Sequence, residues 1–270
     1  MGSSQSSDST ELSSPTSAAA TSSDVFVNLP LEILEETFLN LPAQQVVNVC
    51  CLVCKQWKFV ADSDSLWKER CRREGYYRDG SSKIPEDWRL FYFLCKNRRN
   101  LLQNPKGDQK LSGWHILENG GDKWKVEEPM VPHPDETVQK NFVTSYMMCK
   151  KCQLIDLEKE GYNSSFMDVF QPAIKISDWY APRWDCGCEY EICVELLNAR
   201  KRIIQKFAPE RIYFEQWNNQ QWNQLTHIFQ NYGPGVRYIL FTHGGKDTQF
   251  WAGWYGIRVT NSSVEICPEK

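Results

Sequence analysis

The sequence predicts an α+β multidomain chain, with an N-terminal three-helix module and linker helices followed by a C-terminal antiparallel β-sandwich. Two changes of pattern carry this prediction. Between residues 24 and 103 apolar side chains recur every three and four positions, the period of amphipathic helices. From about Asn104 they alternate in short runs separated by Gly, Pro, Asn and Asp, the period and punctuation of strands. A length of 270 residues suits two domains. The hydrophobic content of 41% and net charge of −3 are those of an ordinary globular chain, so nucleic acid is not an expected partner. No run of eighteen apolar residues suggests a membrane span, and no charged leader with an apolar stretch opens the chain. A cytoplasmic location is expected.

Residues 1–23 are rich in Ser, Thr and Ala and almost lack large apolar side chains, so they are expected to form a disordered tail. Met1-Gly2-Ser3-Ser4-Gln5-Ser6 fits the N-myristoylation pattern, which makes Gly2 a lipidation candidate. A Ser-rich leader also meets this loose rule by chance, and both readings stand. One acyl chain gives only marginal membrane binding and no polybasic run follows it here, so peripheral membrane contact is expected only if Gly2 is acylated.

Residues 24–71 form the first module. Ile33, Leu34, Phe38 and Leu41 follow Pro30 at helical spacing, and proline suits a first turn, where its missing N–H has no partner to lose. After Pro42, the stripe Val46, Val49, Cys50, Val53, Cys54, Trp57 and Val60 predicts a second, longer helix, and Leu66-Trp67 a third. So small a unit cannot bury all this apolar surface by itself, which implies a partner. The order and spacing of Leu29-Pro30-x-Glu32-Ile33-Leu34, Leu52-Val53-Cys54-Lys55-x-Trp57 and Leu66-Trp67 resemble the F-box pattern. That resemblance implies a helical hook for the Skp adaptor and, through it, the cullin/RING scaffold of an SCF ubiquitin ligase. Residue by residue, Leu29, Pro30, Ile33, Leu34, Leu52, Val53, Cys54 and Trp57 would form the Skp-facing surface and its support, some of them being core of the bundle itself.

Residues 72–103 read as a helical linker. Pro85-Glu86-Asp87 precede Trp88, Phe91, Tyr92 and Cys95 at helical intervals, with Lys96, Arg98 and Arg99 at the far end, as a helix dipole favours. The expectation is a helix packed on the end of the F-box.

Residues 104–270 carry the strand-like runs Trp124–Val126, Ala173–Ile176, Tyr190–Val194, Trp222–Leu225, Val236–Phe241 and Ile257–Thr260, which argue for a sandwich. Ser145–Leu157 is readable as a short helix or a strand pair. Four segments resemble the F-box-associated (FBA) domain of the sugar-recognising F-box subfamily: Asn119-Gly120-Gly121-Asp122-x-Trp124-Lys125-Val126-Glu127, Lys175–Tyr180, Tyr232–Arg237, and His243–Asp247 through Phe250–Gly256 to Val259–Ser263. The resemblance implies binding of N-linked high-mannose glycoproteins through the inner chitobiose, for ubiquitination of misfolded glycoproteins. A pyranose offers an apolar C–H face and a polar rim, so an indole stacks on the face while polar groups take the hydroxyls. Trp251 is the candidate stacking ring, with Phe250 and Tyr146 as walls and Asp185 as acceptor, at positions similar to the family's sugar pocket. This chain departs from that pattern at Phe250, where glycan-binding members usually have Tyr, and at Ala252, where some have Lys. Trp124, Trp179 and Trp254 are expected in the sandwich core.

Other chemistry is weaker. Cys149-x-x-Cys152 and Cys186-x-Cys188 raise the question of zinc, but no matching second C-x-x-C and no nearby His accompany them, so no metal is expected and the eleven cysteines read as reduced thiols. His243-Gly244-Gly245 lacks the G-x-S-x-G elbow of an esterase and reads as a hairpin turn. Asp178 and Asp185 could be imagined as a glycosidase pair. Asn163-Ser164-Ser165 and Asn261-Ser262-Ser263 match the glycosylation sequon but read as turns in a cytosolic chain. The expected function is therefore a non-catalytic, cofactor-free substrate receptor that reads glycans. A receptor that reads a protein surface is the alternative, and a sugar-processing enzyme a distant third.

Overall fold

The computed structural model describes residues 29–78 and 83–267, so Gly2 and the Ser-rich tail lie outside the described residues. Two compact units divide between Leu66 and Trp67.

The first unit is helical. Helix α1 (Leu31–Asn40) starts on Pro30, whose carbonyl accepts from Ile33 and Leu34, both at 3.1 Å, and it buries Leu34 and Phe38. Helix α2 (Ala43–Asn48) follows Pro42, a one-turn 3-10 segment covers Cys50–Leu52, and helix α3 (Lys55–Ala61) completes the packing. Phe38 meets Trp57 edge-on at 5.4 Å, and Gln56 Nε2 donates to Leu29 O at 2.8 Å, tying the start of the chain to α3. The long second helix expected from the stripe is therefore broken twice. Val49 leaves helical geometry (φ −123°, ψ −57°) and Cys54 is extended (φ −158°, ψ 173°). Consecutive β-branched residues at Val46 and Val47, with Val49 beyond, crowd the preceding turn and weaken helix continuation. The breaks preserve the apolar spacing but rotate Leu52 and Val53 outward.

Helix α4 (Asp64–Arg73) runs from Asp64 in its first turn to Arg70, Arg72 and Arg73 in its last, each charge complementing the adjacent helix end. Within the second unit, helix α5 (Trp88–Lys96) is capped by Asp87, whose carboxylate accepts from Leu90 N at 2.8 Å. Trp67 lies against Tyr92 and Phe93 at 5.3 and 5.4 Å, while Glu74 accepts from Tyr92 Oη and Lys96 Nζ, both at 2.7 Å. The other side of α5 packs on the sandwich, with Phe91 against Phe170 (4.7 Å) and Phe166 (6.0 Å) of the π-helical turn Phe166–Phe170. Leu101 N donates to Val264 O at 2.8 Å and Asn100 Nδ2 to Ser262 O at 2.8 Å. The linker helix thus packs on Trp67, at the end of the segment expected as the F-box, and also on the sandwich.

Among the described residues, eleven strands form two antiparallel sheets. They are β1 (His115–Asn119), β2 (Lys125–Glu127), β3 (Asn141–Val143), β4 (Cys149–Asp156), β5 (Ala173–Ala181), β6 (Cys188–Leu197), β7 (Ile203–Phe207), β8 (Ile212–Phe214), β9 (Asn223–Phe229), β10 (Tyr238–Asp247) and β11 (Arg258–Cys267). One sheet runs β1-β4-β10-β6-β7 with β8 also on β6, and the other β2-β3-β11-β5-β9. Alternate residues such as Val194, Leu196, Ile239, Phe241, Ile174, Ile176, Val264 and Ile266 are buried and form the core. Of Ser145–Leu157, read as a short helix or a strand pair, Cys149–Asp156 is the single strand β4 and residues 145–148 form the loop that leads into it.

A polar cluster lies inside this core. Asp178 accepts from Tyr190 Oη (2.6 Å), Ser262 Oγ (2.7 Å) and His243 Nδ1 (2.5 Å), and His243 Nε2 faces Lys151 Nζ at 2.6 Å. Lys151 Nζ sits 3.1 Å from the Trp114 ring centroid and 3.8 Å from that of Phe142. Burial lowers Lys151 well below the ordinary lysine value, lowers His243, and raises Tyr190 well above the tyrosine range. The neutral His243 tautomer that fits donates through Nδ1 to Asp178 and accepts at Nε2 from Lys151.

This cluster corrects three sequence readings. His243-Gly244-Gly245 is no hairpin turn but the middle of β10, paired with Lys151, Lys150 and Cys149 on one side and Ile192, Glu191 and Tyr190 on the other. A Cβ at Gly245 would collide with the backbone carbonyl of Glu189 on neighbouring β6 and come within 2.7 Å of Ile257 Cγ2, so only glycine fits there. Asn261-Ser262-Ser263 is a bulge within β11, between Thr260 and Ser263, which turns Ser262 onto Asp178. Asp178 is fully buried and engaged, so it cannot pair with Asp185 as an exposed glycosidase couple. All eleven cysteines are free thiols.

Candidate functional sites

On the helical unit, the broken second helix creates an apolar surface. Ile33 is 56% exposed, Leu52 78% and Val53 56%, beside exposed Pro30. Leu29, Cys54 and Trp57 are half-buried, and Leu34 is wholly buried, supporting the surface from below. Leu31 and Phe59, the latter 66% exposed, join this surface without a place in the sequence motif, and Val49, expected as part of a helix stripe, is exposed beside them. Phe59 stands off the three-and-four spacing of its neighbours, and a large apolar side chain on a polar helix face was the available signal. Covering one such side chain is worth about 1.5–3 kcal/mol, so a handful suffices for a stable partner.

On the second unit, the loops joining strands at one end of the sandwich converge. The loop after β10 reverses at Asp247, whose Oδ1 accepts from Gln249 N at 3.1 Å and Phe250 N at 2.6 Å. These bonds hold Phe250 in the left-handed region (φ +61°), which a bulky L residue rarely adopts. The ring is pushed outward, 67% exposed, where it meets Tyr146 at 5.9 Å. Burial raises the Asp247 carboxyl above its ordinary value, and its Oδ2 is buried without a hydrogen-bond partner.

The descending side of the loop is pinned at Gly253, whose φ of +110° only glycine adopts freely. Its N–H donates to Asp122 Oδ2 at 2.6 Å and its carbonyl accepts from Ser145 Oγ at 2.7 Å. Trp254 Nε1 donates to Lys123 O at 3.0 Å, and the Lys125 ammonium lies 4.5 Å from the Trp254 ring centroid. Trp254 is therefore a loop clamp and not a core residue, because its indole N–H finds a partner only at the rim. Trp124 is in the core, and Trp179 packs half-buried against His133 at 4.7 Å.

Between these anchors stand Trp251, 39% exposed, and exposed Ala252. Trp251 meets Tyr255 at right angles (5.4 Å), and the Arg183 guanidinium covers Tyr255 at 4.3 Å. Arg183 in turn forms a two-point ion pair with Asp185, Nε to Oδ1 at 2.5 Å and Nη2 to Oδ2 at 3.1 Å, which raises the arginine's pKa. Asp185 is thus occupied by Arg183, although each carboxylate oxygen retains a further lone pair for a ligand hydroxyl. The structure gathers Tyr146 with Phe250, and Trp251 with Asp185 by way of Tyr255 and Arg183. Tyr255, Arg183, Ser145 and Asp247 carry no separate role in the sequence pattern. Their importance depends on loops brought together from distant strands, and only Asp247 and Tyr255 fell within a quoted motif.

An aromatic face with a polar edge, held by backbone hydrogen bonds and not by a mobile tip, is chemically suited to stacking on a pyranose. Among the described residues no group of three or more His, Cys, Asp or Glu side chains is placed to hold a metal ion. No helix among them is long and apolar enough to cross a membrane.

Comparisons with known proteins agree on both units. A model described as "F-box-like" matches residues 26–73 and one described as "F-box associated region" matches residues 92–266. F-box only protein 6 of Bos taurus is 50% identical over 242 residues, spanning 88% of this chain and 91% of the relative. F-box only protein 44 of Homo sapiens is 45% identical (89% and 96%), and F-box only protein 2 of Bos taurus 43% identical (89% and 83%). Among solved structures, TmCBM61 in complex with β-1,4-galactotriose aligns with 62% of this chain and 97% of its own at 15% identity. At a TM-score of 0.37 that likeness carries no argument.

Proposed function

Since the chain belongs to the family of F-box proteins with an F-box associated region, we propose that it is the substrate-recognition subunit of a Skp–cullin–F-box ubiquitin ligase. The helical unit docks on the Skp adaptor through Pro30, Ile33, Leu52 and Val53, supported by Leu29, Leu34, Cys54 and Trp57, and so joins the cullin/RING scaffold. The loop end binds the inner chitobiose of N-linked high-mannose glycoproteins, with Trp251 as the stacking ring, Phe250 and Tyr146 as walls, Asp185 as acceptor and Ala252 at the edge. Its targets are misfolded glycoproteins exposed to the cytosol, the location proposed for the chain itself. The subunit is non-catalytic and uses no cofactor.

One observation carries the sugar reading. Trp251 stands partly exposed on a loop whose two sides are fixed by Asp247 and by Asp122 with Ser145, so little ordering entropy opposes stacking. The test is binding to immobilised chitobiose. Wild type is retained and Trp251→Ala passes through; a wild type that passes through refutes it. A second reading, recognition of a protein surface, draws on Phe250, which presents an apolar ring with no hydroxyl, and on Ala252, which presents no charge. Loss of one hydrogen bond weakens sugar binding by about 0.5–1.5 kcal/mol, short of abolishing it.

A further inference from the structure

Beside the Trp251 loop lies an aromatic pair that the site above does not use. Trp184, in the loop between β5 and β6, is 48% exposed, and Trp217, in the loop between β8 and β9, is 66% exposed. Their ring centroids are 5.1 Å apart and the planes are tilted by 48°. Two adjacent indoles left in water form the kind of patch that marks recognition.

The pair is rigidly mounted. Asn218 N donates to Trp184 O at 3.1 Å, and Asn218 Nδ2 to Arg183 O (2.8 Å) and Glu215 O (2.9 Å). Gln216 Nε2 donates to Asp185 O at 3.1 Å. Trp217 is held in the left-handed region at φ +65°, an unfavourable conformation for a bulky residue that the surrounding bonds maintain. The pair is also continuous with the stacking ring. Arg183, the residue before Trp184, lies over Tyr255, and Tyr255 touches Trp251.

The rim identifies the ligand chemistry. The loop between β8 and β9 that carries Trp217 contains five amide side chains, Gln216, Asn218, Asn219, Gln220 and Gln221, and no Lys or Arg. Amides both donate and accept, as a ring of hydroxyls requires. A phosphate or acidic peptide would need a cation, and nearby Arg183 is engaged by Asp185 and Tyr255.

We propose that Trp184 and Trp217 form a second stacking platform, which takes pyranose units of the same glycan lying beyond the chitobiose at Trp251. This rests on the glycan reading above. The experiment is calorimetry on the full chain with chitobiose and with a free high-mannose oligosaccharide, comparing wild type, Trp184→Ala, Trp217→Ala, the double variant and Trp251→Ala. Both rings are exposed, so unchanged melting temperatures are expected and certify the fold. The double variant binds chitobiose like wild type but binds the oligosaccharide about tenfold more weakly, the scale of one lost aromatic contact; Trp251→Ala loses both ligands.

Equal oligosaccharide affinity in wild type and double variant overturns the platform and leaves the chitobiose site standing. An equal loss of both ligands in the double variant also overturns it, since the pair would then only position Trp251. Failure of wild type to bind either sugar overturns both this inference and the glycan reading.

Discussion

Asp247→Ala tests whether the Trp251 loop is pre-formed. The carboxylate accepts from the amides of Gln249 and Phe250, and a hydrogen bond to a charged group contributes about 1.5–3 kcal/mol. Against this, left-handed geometry at Phe250 costs roughly 1–2 kcal/mol. Without the acceptor the strain is unopposed, so Phe250 returns to negative φ and Trp251 loses its fixed aim. Hydrogen exchange reads this directly: protection of the Gln249 and Phe250 amides falls roughly ten- to hundredfold, the factor corresponding to one such bond. Asp247→Asn keeps the Oδ1 acceptor and most of the protection. It also removes a pH dependence. The folded-state pKa of Asp247 is raised by burial, so the carboxyl favours folding at acid pH, and that contribution is lost as pH rises through the folded pKa. Asp247→Asn therefore flattens this part of the stability curve and is at least as stable as wild type at neutral pH. Wild-type protection of both amides in Asp247→Ala would show that the carboxylate does not hold the loop.

Other expectations concern the rest of the molecule. Leu52→Asp changes stability by less than about 0.5 kcal/mol because the side chain is on the surface, yet abolishes capture of the Skp adaptor in a pull-down. Leu34→Ala, by contrast, costs about 2–5 kcal/mol in denaturant titration. In the sandwich core, Asp178→Ala strands three donors and lowers stability by about 3–5 kcal/mol, whereas Lys151→Met replaces a buried amine with an apolar chain and is neutral or stabilising in the same titration. Cys186, pushed up to about 11 by burial, and Cys95 and Cys188, pushed up to about 12, resist iodoacetamide in the native protein at neutral pH. Half-exposed Cys51 and Cys54 are modified first, as peptide mass mapping will show.

The sequence made the two architectures legible because each has its own period. The three-and-four spacing around Leu34, Phe38 and Val46 and the alternation along β6 depend on one buried face and survive in one dimension. What was hidden depends on dihedral breaks or distant pairing. Spacing from Val46 to Val60 is the same whether the helix is continuous or interrupted at Val49 and Cys54, so the outward turn of Leu52 and Val53 could not be read. His243-Gly244-Gly245 looked like a turn because glycine is usual there; only its pairing with β4 and β6 explains glycines within a strand. Trp251, Phe250, Tyr146 and Asp185 came from a family resemblance, and the residues that hold them, Asp122, Ser145 and Asp247, act through loops far apart in sequence. Trp184 and Trp217 were invisible as a pair for the same reason.

The proposed function requires that one chain link a sugar-reading loop end to an adaptor-binding helical unit. It is tested most directly by passing the chain, mixed with purified Skp adaptor, over immobilised chitobiose and eluting with free chitobiose. Chain and adaptor should elute together from wild type, the chain alone from Leu52→Asp, and neither from Trp251→Ala. Wild-type chain in the flow-through, or retained chain without adaptor, would show that the chain does not make this link.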